Sequence, residues 1–403
     1  MQDLHFRTRQ VIEKEVDVIR AQMNRNGVEV VTGLASFVDA ETVRVESSRD
    51  ALEIRASHIL IAVGTKPAVP KDVTPDGEVI LDSDQMLDMT RIPRTLTVVG
   101  AGVIGVEYGS MFAALGTKVT LIDKRSQLLE FVDHEITDDL IYQLRNMGTV
   151  MRLGEDVKEI AVSPEGRAVA TMQSGKVMSS EMLLYSAGRQ GATAELNLPA
   201  AGLAADSRGR LEVNEHYQTA VPHIYAAGDV IGFPSLASTS AEQGRLATCH
   251  AFGVESRSMS SLFPYGIYSI PEISYVGKNE DELTTANVPY EIGIARYREI
   301  ARGQILGDES GLLKLLFHRE TRELLGVHAI GTQATELIHV GQAVMAFGGK
   351  IDYFVNTVFN YPTLAECYKV AALDGMNRVG WSNGGTTQAQ PQPGGEPIRG
   401  LSG

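Results

Sequence analysis

The sequence predicts an α/β fold, with parallel strands joined by crossover helices, followed by a C-terminal α+β unit. Three observations lead there. Residues 95–123 read as a strand, a glycine-rich turn, a helix and a second strand, which is the order of a βαβ unit. Apolar runs that end in small residues and glycine recur at Ile59–Thr65, Leu183–Arg189 and Ile224–Asp229, as buried parallel strands do where they meet a turn. From Pro264 the pattern changes to mixed strands and helices and closes in a helical run over 363–378.

The elements follow in chain order. The first is a helix with Ile12, Val16, Ile19 and Met23 on one face, stopping near Asn26-Gly27. Strands are expected at Val28–Val31, Ala35–Val38, Thr42–Val45 and Leu52–Ile54, ahead of the apolar run that reaches Gly64. Pro67, Pro70 and Pro75 mark a linker. Thr95–Val99 is a strand, 103–115 a helix stopped by Gly116, and Lys118–Asp123 the next strand, with shorter strands continuing to Leu183–Ser186. Residues 211–252 return to strand and then helix, and the stretch from Trp381, rich in Gly, Pro and Gln, is expected to be disordered.

Bulk properties narrow the function classes. A chain of 403 residues has room for two or three domains. Its formal charge of −14 argues against broad binding to nucleic acid or anionic membranes. No apolar run reaches the roughly 18 residues of a membrane span, and the N-terminus lacks a charged-then-apolar leader pattern. The two cysteines, Cys249 and Cys367, are far apart in sequence, so a disulfide framework is not expected and a reducing cytoplasm is the default location. None of the nine histidines falls at metal-ligand spacing, so no metal site is expected.

The chemistry concentrates at Gly100-Ala101-Gly102-Val103-Ile104-Gly105. Gly100 permits the tight turn, Gly102 lets backbone approach a pyrophosphate, and Gly105 lets helix and strand pack closely; the helix start supplies N–H groups and a positive dipole end. With a strand before it, a helix after it and a second strand ending on a carboxylate, this is a nicotinamide-dinucleotide site. Asp123 stands where a carboxylate accepts the ribose hydroxyl of NAD, whereas Lys124 and Arg125 stand where cations receive the 2′-phosphate of NADP. Gly64, Gly188 and Gly228 close the other three runs, at the strand ends where dinucleotides sit in open α/β sheets.

Gly100–Glu107 (GAGVIGVE), Thr219–Asp229 (TAVPHIYAAGD) and Tyr361–Glu366 (YPTLAE) resemble three signatures of the flavin-dependent pyridine nucleotide–disulfide oxidoreductases. The stretches DVIGFPSLASTSAEQGR, IPEISYVGK, LLKLLFHRETRELLGVHAIG and FVNTVFNYPTLAECYKVAAL resemble one branch of that family, and the resemblance runs from about residue 1 to about residue 380. It implies two Rossmann-like dinucleotide-binding domains, the FAD one truncated, plus a C-terminal α+β dimerisation domain. The segments would be 1–92 (partial FAD-binding domain), 93–213 (NAD(P)-binding domain), 214–262 (second part of the FAD-binding domain), 263–380 (dimerisation domain) and 381–403 (disordered tail). Asp229 would hold the ribityl chain of FAD, and Leu236-Ala237-Ser238 would start a helix aimed at the flavin pyrimidine edge. Glu107 would line the nicotinamide side, with the small Val103 leaving the entry open. Tyr361 and Glu366 would reach a partner's flavin across a homodimer.

Two departures from the family pattern shape the functional expectation. Where disulfide reductases carry His-Pro-Thr-x-x-Glu, this chain has Tyr361 with Pro362, Thr363 and Glu366. A tyrosine, with an ordinary pKa of about 10, is a poor base for a thiol at neutral pH. The chain also begins at the helix that follows the family's first strand–GxGxxG–helix unit and its CxxxxC segment. The resemblance therefore implies FAD-dependent hydride transfer between NADPH and NAD⁺, converting NADPH to NADH, with dinucleotides as the small-molecule partners. A disulfide reductase of the dihydrolipoamide dehydrogenase type and an inactive NAD(P)-binding fragment are the other readings.

Overall fold

Helix Val103–Ala114 lies between two sheets that belong to different halves of the chain. The computed structural model describes residues 1–70 and 73–380, so the expected tail from Trp381 lies outside the described residues. The first sheet is parallel, in the order Ile80–Leu81, Met182–Tyr185, Thr95–Val99, Lys118–Asp123 and Val150–Leu153. Its strands are apolar on both faces because both are covered. Leu96, Val98, Leu121 and Leu184 pack toward the crossover helices with Phe112 and Leu140. Val99, Ile122 and Leu183 turn the other way, toward Ile160, Ala170 and Met172 of a three-stranded antiparallel sheet spanning 157–180. The second crossover helix, His134–Asn146, is capped by Asp133, whose carboxylate accepts the Glu135 N–H at 3.1 Å.

A second core gathers Phe37, Ile61, Leu196, Leu211, Ile224 and Val230. Here Ile59–Ile61 pairs in parallel with Ile224–Ala226, and Thr65–Pro67 pairs antiparallel with Arg189–Gly191. Strands Leu34–Phe37, Thr42–Glu46 and Ala51–Arg55 form an antiparallel sheet beside it. The first helix, Gln2–Arg25, carries its face of Ile12, Val16, Ile19 and Met23 between 36% and 49% exposed.

The third sheet is antiparallel, in the order Tyr265–Ile267, Ile273–Gly277, Leu324–Ile330, Leu312–His318 and Tyr290–Arg296. Alternation along its strands splits the residues between two cores. Leu313, Leu315, Phe317, Val327 and Ala329 pack under helices Ala334–Ala346 and Glu366–Val379. Leu312, Ile330, Ile267 and Ile273 face the parallel-sheet unit and share its core. The two units therefore meet through a continuous apolar contact.

Several expectations are corrected. Val28–Val31 is irregular, with Val28, Val30 and Val31 exposed; the Val28 N–H closes the first helix on Met23 O instead of entering a ladder, and β-propensity without a partner strand makes no strand. Pro67 ends a short strand rather than lying in a linker, because a two-stranded ladder tolerates the missing N–H. The unit expected to start at residue 93 begins earlier, since Ile80–Leu81 joins the parallel sheet. It also gives up its last residues, since Leu196–Leu211 pack in the core of Ile61 and Ile224. Strands of two or three residues carry too little pattern to announce which sheet they join.

Candidate active site

The strand Thr95–Val99 delivers the chain into a turn that only glycine fits at two points. Gly100 has φ 97°, and a Cβ on it would lie 2.7 Å from the Ser186 carbonyl oxygen. A Cβ on Gly105 would lie 1.9 Å from the Gly100 carbonyl oxygen, so the helix can start only with a bare Cα there. Ser186 braces the same turn, its hydroxyl lying 2.7 Å from Gly100 O and 3.1 Å from Val99 O. Gly102 is the N-cap of helix Val103–Ala114 and no side chain caps that end. The free N–H groups face a cavity of about 600 Å³ lined in part by Gly100, Gly102, Asp123, Arg125, Gly188 and Arg189. Unpaired helix-start N–H groups and a dipole end suit a pyrophosphate.

Asp123 and Arg125 are both at this cavity, but they hold each other. Arg125 Nε lies 2.9 Å from Asp123 Oδ1 and its Nη2 lies 2.7 Å from Oδ2. The Ala101 N–H also donates to Oδ2, at 2.7 Å, and the Arg125 N–H to Oδ1, at 2.8 Å. Burial, the largest single influence, pushes the Asp123 carboxyl up, but the Arg125 and Ala101 hydrogen bonds outweigh it and hold the group below the ordinary carboxylate range. The carboxylate and the guanidinium expected to serve separate nucleotides thus form one bidentate pair. Lys124 stays exposed at the rim.

The flavin-side residues gather nearby. Asp229 opens a single 3₁₀ turn after Gly228, and its Oδ2 accepts from the Thr65 hydroxyl at 3.4 Å. Arg189 fixes Thr65 through its Nε on the hydroxyl and its Nη2 on the carbonyl, both at 2.7 Å. The Gly228 N–H is taken by Gln243 Oε1 at 2.8 Å. Gly64 and Gly188 bind the neighbouring backbone through their carbonyls, to Ala192 and Ala68. Helix Ala237–Ala251 starts after Leu236 with no side-chain cap, and Ala237 and Ser238 are exposed. Ser186, Thr65, Arg189 and Gln243 carry no motif of their own. The only signal for Thr65 and Arg189 is position, directly after Gly64 and Gly188, and Ser186 lies two residues before Gly188.

Glu107 links the halves. Its Oε1 accepts the Tyr268 N–H at 2.8 Å, and one turn on, the Ser110 hydroxyl accepts the Ile270 N–H at 2.9 Å. Burial pushes the Glu107 carboxyl up, with the Tyr268 bond pulling the other way. Tyr265 senses both sides of the cleft, for burial first, and then the charges of Glu107 and Asp229, raise its phenol. Tyr361 is 72% exposed on the C-terminal unit, and Glu366 keeps one buried oxygen, Oε2, without a partner among the described residues. No hydrogen bond or ring contact among the described residues joins either of them to Glu107. The cysteines sit in different places, Cys367 in the core under the antiparallel sheet and Cys249 on helix Ala237–Ala251. Burial pushes the Cys367 thiol up to about 12.

A glycine-bound phosphate loop, a second set of strand ends carrying Asp229, and a C-terminal sheet that closes the cleft are the plan of one enzyme family. Residues 2–244 match the family described as pyridine nucleotide-disulphide oxidoreductase, and residues 263–372 match its dimerisation domain. The chain belongs to this family and is an oxidoreductase. It is 53% identical over 379 residues to the soluble pyridine nucleotide transhydrogenase of Mycobacterium tuberculosis, covering 94% of this chain and 81% of that one. The protein of the same name from Colwellia psychrerythraea is 48% identical over 385 residues, covering 94% and 82%. Among solved structures, the HOCl-induced flavoprotein disulfide reductase RclA from Escherichia coli superposes with a TM-score of 0.82 at 27% identity, over 90% of this chain and 85% of that one. LpdA from Mycobacterium tuberculosis gives 0.86 at 25% identity, over 92% and 82%. No helix among the described residues is long and apolar enough to cross a membrane.

Two outcomes follow from this geometry. Gly105→Ala forces a methyl group into the Gly100 carbonyl, so it is expected to lose nucleotide binding and about 1–3 kcal/mol of stability, read by NADH fluorescence and denaturant unfolding. Glu107→Gln keeps an oxygen for the Tyr268 N–H and removes the charge. Because the folded carboxyl is raised above its ordinary 4.5, ionised Glu107 costs stability above the folded pKa and nothing below 4.5. The variant is expected to melt higher than the parent near pH 8, with the gap closing as the pH falls toward 4.5. A gap that stays constant with pH would show that the charge is not its source.

Proposed function

We propose that the chain exchanges hydride between the two nicotinamide nucleotides, NADPH + NAD⁺ ⇌ NADP⁺ + NADH, with NADPH consumed and NADH formed. The observation that carries this reading is the Asp123–Arg125 pair beside an uncapped helix start. One pair offers a carboxylate to a ribose hydroxyl and a guanidinium to a 2′-phosphate, so one site serves either nucleotide in turn. The names carried by the relatives at 53% and 48% identity support the same activity.

FAD supplies the two-electron acceptor that such an exchange needs. The residues present fit its ribityl and flavin portion. Asp229, held by Thr65, offers a carboxylate to hydroxyls, and the uncapped start of helix Ala237–Ala251 offers N–H groups to an electron-rich ring edge. The pattern GxGxxG occurs once in the sequence, at Gly100–Gly105, so the FAD domain as far as residues 1–403 contain it is partial. Helix Val103–Ala114 binds the nucleotide pyrophosphate, Glu107 lines the nicotinamide side in a burial that favours its neutral form, and Arg189 with Thr65 keeps Asp229 in place.

The C-terminal domain forms a homodimer in this reading. Phe347 and Val358 are about as exposed as a side chain can be, at 90% and 91%, and Tyr361, three residues after Val358, is 72% exposed; exposed apolar groups of this size mark an interface. Across it Tyr361 and Glu366 meet the partner's flavin. Thiol–disulfide exchange is the weaker reading, since Tyr361 replaces the expected histidine and the two cysteines, Cys249 and Cys367, lie in different parts of the fold. The setting is the cytoplasm, where both nucleotides are available.

The test is transfer from NADPH to a thionicotinamide analogue of NAD⁺ by the FAD-supplemented chain, followed by absorbance. Arg125→Ala is expected to raise the KM for NADPH by about tenfold or more while changing that for NADH little, the loss of one charge-assisted contact. Asp123→Asn is expected to act in the opposite sense. Equal effects on both nucleotides, or no transfer with FAD present, would overturn the assignment.

A further inference from the structure

We propose that Lys314 is a positioning residue, a buried ammonium that pins the start of helix His134–Asn146 to the C-terminal domain and thereby sets how helix Val103–Ala114 meets residues 268–270. Lys314 stands in the strand Leu312–His318 among leucines and is 0% exposed. A buried ammonium is costly unless its hydrogen bonds are met. Its Nζ lies 2.8 Å from Asp133 Oδ1 and 2.9 Å from Glu135 Oε2, and it also bonds Glu280. Three N–H donors thus meet three carboxylates. Asp133 and Glu135 open helix His134–Asn146 of the nucleotide-binding unit, whereas Glu280 opens helix Glu280–Thr285 of the C-terminal domain. Burial alone pushes the ammonium's pKa down, and the carboxylates, Asp133 foremost, carry it up, so it stays charged.

The same two helix starts are stitched again at the rim. His134 Nε2 lies 2.7 Å from Asp281 Oδ2, and Asn279 Nδ2 donates to Phe131 O at 3.4 Å.

A row of cross-strand neighbours connects this point to the hydride cleft. Lys314 pairs with His328, His328 with Tyr275, and Tyr275 with Tyr265 across the antiparallel sheet. The rings of His328 and Tyr275 stack with centroids 5.6 Å apart and 8° between planes, and those of Tyr275 and Tyr265 at 5.6 Å and 15°. Strand Tyr265–Ile267 then runs directly into Tyr268, whose N–H holds Glu107. The apolar contact between the two units is large but non-directional. Directional contacts stand at both ends of this row, the Lys314 cluster with the His134 and Asn279 contacts at one and the Glu107 and Ser110 bonds at the other.

One carboxylate oxygen each from Asp133, Glu135 and Glu280 lie within 4.8 Å of one another, a spacing at which such groups could hold a metal ion. With the ammonium removed, they repel one another and separate the helix starts, and a divalent cation should take the ammonium's place.

The test is Lys314→Met in the FAD-loaded protein, read by hydrogen exchange at the amides of Tyr268 and Ile270. Exchange there is expected to quicken about tenfold or more and to slow again with added Mn²⁺, while the parent ignores the ion. NADH affinity should change little and the rate of hydride exchange should fall and recover with the ion. If Lys314→Met does not fold, Glu280→Gln breaks only the C-terminal arm and is expected to show the same acceleration to a smaller degree. Unchanged exchange at Tyr268 and Ile270 overturns the proposal, as does a loosening of the whole chain that Mn²⁺ does not reverse. The expected effect on rate rests on the hydride-exchange reading. A parent without activity would sink that reading, whereas the amide exchange would still decide the role of Lys314.

Discussion

The arrangement depends on helix Val103–Ala114 being fixed along its length by two different units. At its start, the missing Cβ of Gly105 lets it close on the Gly100 carbonyl, which sets the direction in which its N–H groups point. One and two turns further, Glu107 and Ser110 take backbone N–H groups from residues 268 and 270 of the C-terminal domain. The helix has no polar face to solvent, and Val106, Gly109, Phe112 and Ala113 are buried. A helix that is apolar on most sides packs as a core element, so any shift of it is felt by both sheets. The glycine turn at Gly100–Gly105 and the Glu107 contact with residue 268 are therefore placed by one rigid body.

Electrostatics then divides the site by function. At Asp123 charge is kept, because Arg125 and the Ala101 N–H hold the buried carboxylate below the ordinary range while the guanidinium stays 35% exposed. The carboxylate is 5% exposed, so its removal from water is offset only while these hydrogen bonds are made. At Glu107 the balance is reversed, because burial raises the carboxyl and a single N–H donor opposes it.

The sequence made the phosphate loop fully legible because sterics leave no choice of residue at Gly100 and Gly105. The boundaries of helix 103–115 were legible to within a residue, whereas the run expected over 363–378 becomes helical only from Glu366 to Val379, since Thr363 to Ala365 turn before it. What the sequence could not show is pairing. Asp123 and Arg125 are separated by one residue, and nothing in the order Asp-Lys-Arg indicates that the guanidinium turns back on the carboxylate. Ile80–Leu81 pairs with Met182–Tyr185, about a hundred residues later in the chain, and Val28–Val31 has strand-forming residues but no strand. Thr65 and Arg189 matter because two remote strand ends meet as an antiparallel ladder, and no local pattern records such a meeting.

Lys314 illustrates the same limit in a buried position. In the run Leu312–His318 a lone lysine reads as a break in an apolar strand, and its three partners lie at positions 133, 135 and 280. Replacing a buried ion cluster with apolar side chains is often neutral or even stabilising, so its presence is not explained by stability alone. An apolar interface can slide, because its free energy changes little with small rotations, whereas an ammonium with three acceptors has one orientation that satisfies them. A site split between two units, with Glu107 on one and the Tyr268 N–H on the other, needs that single orientation.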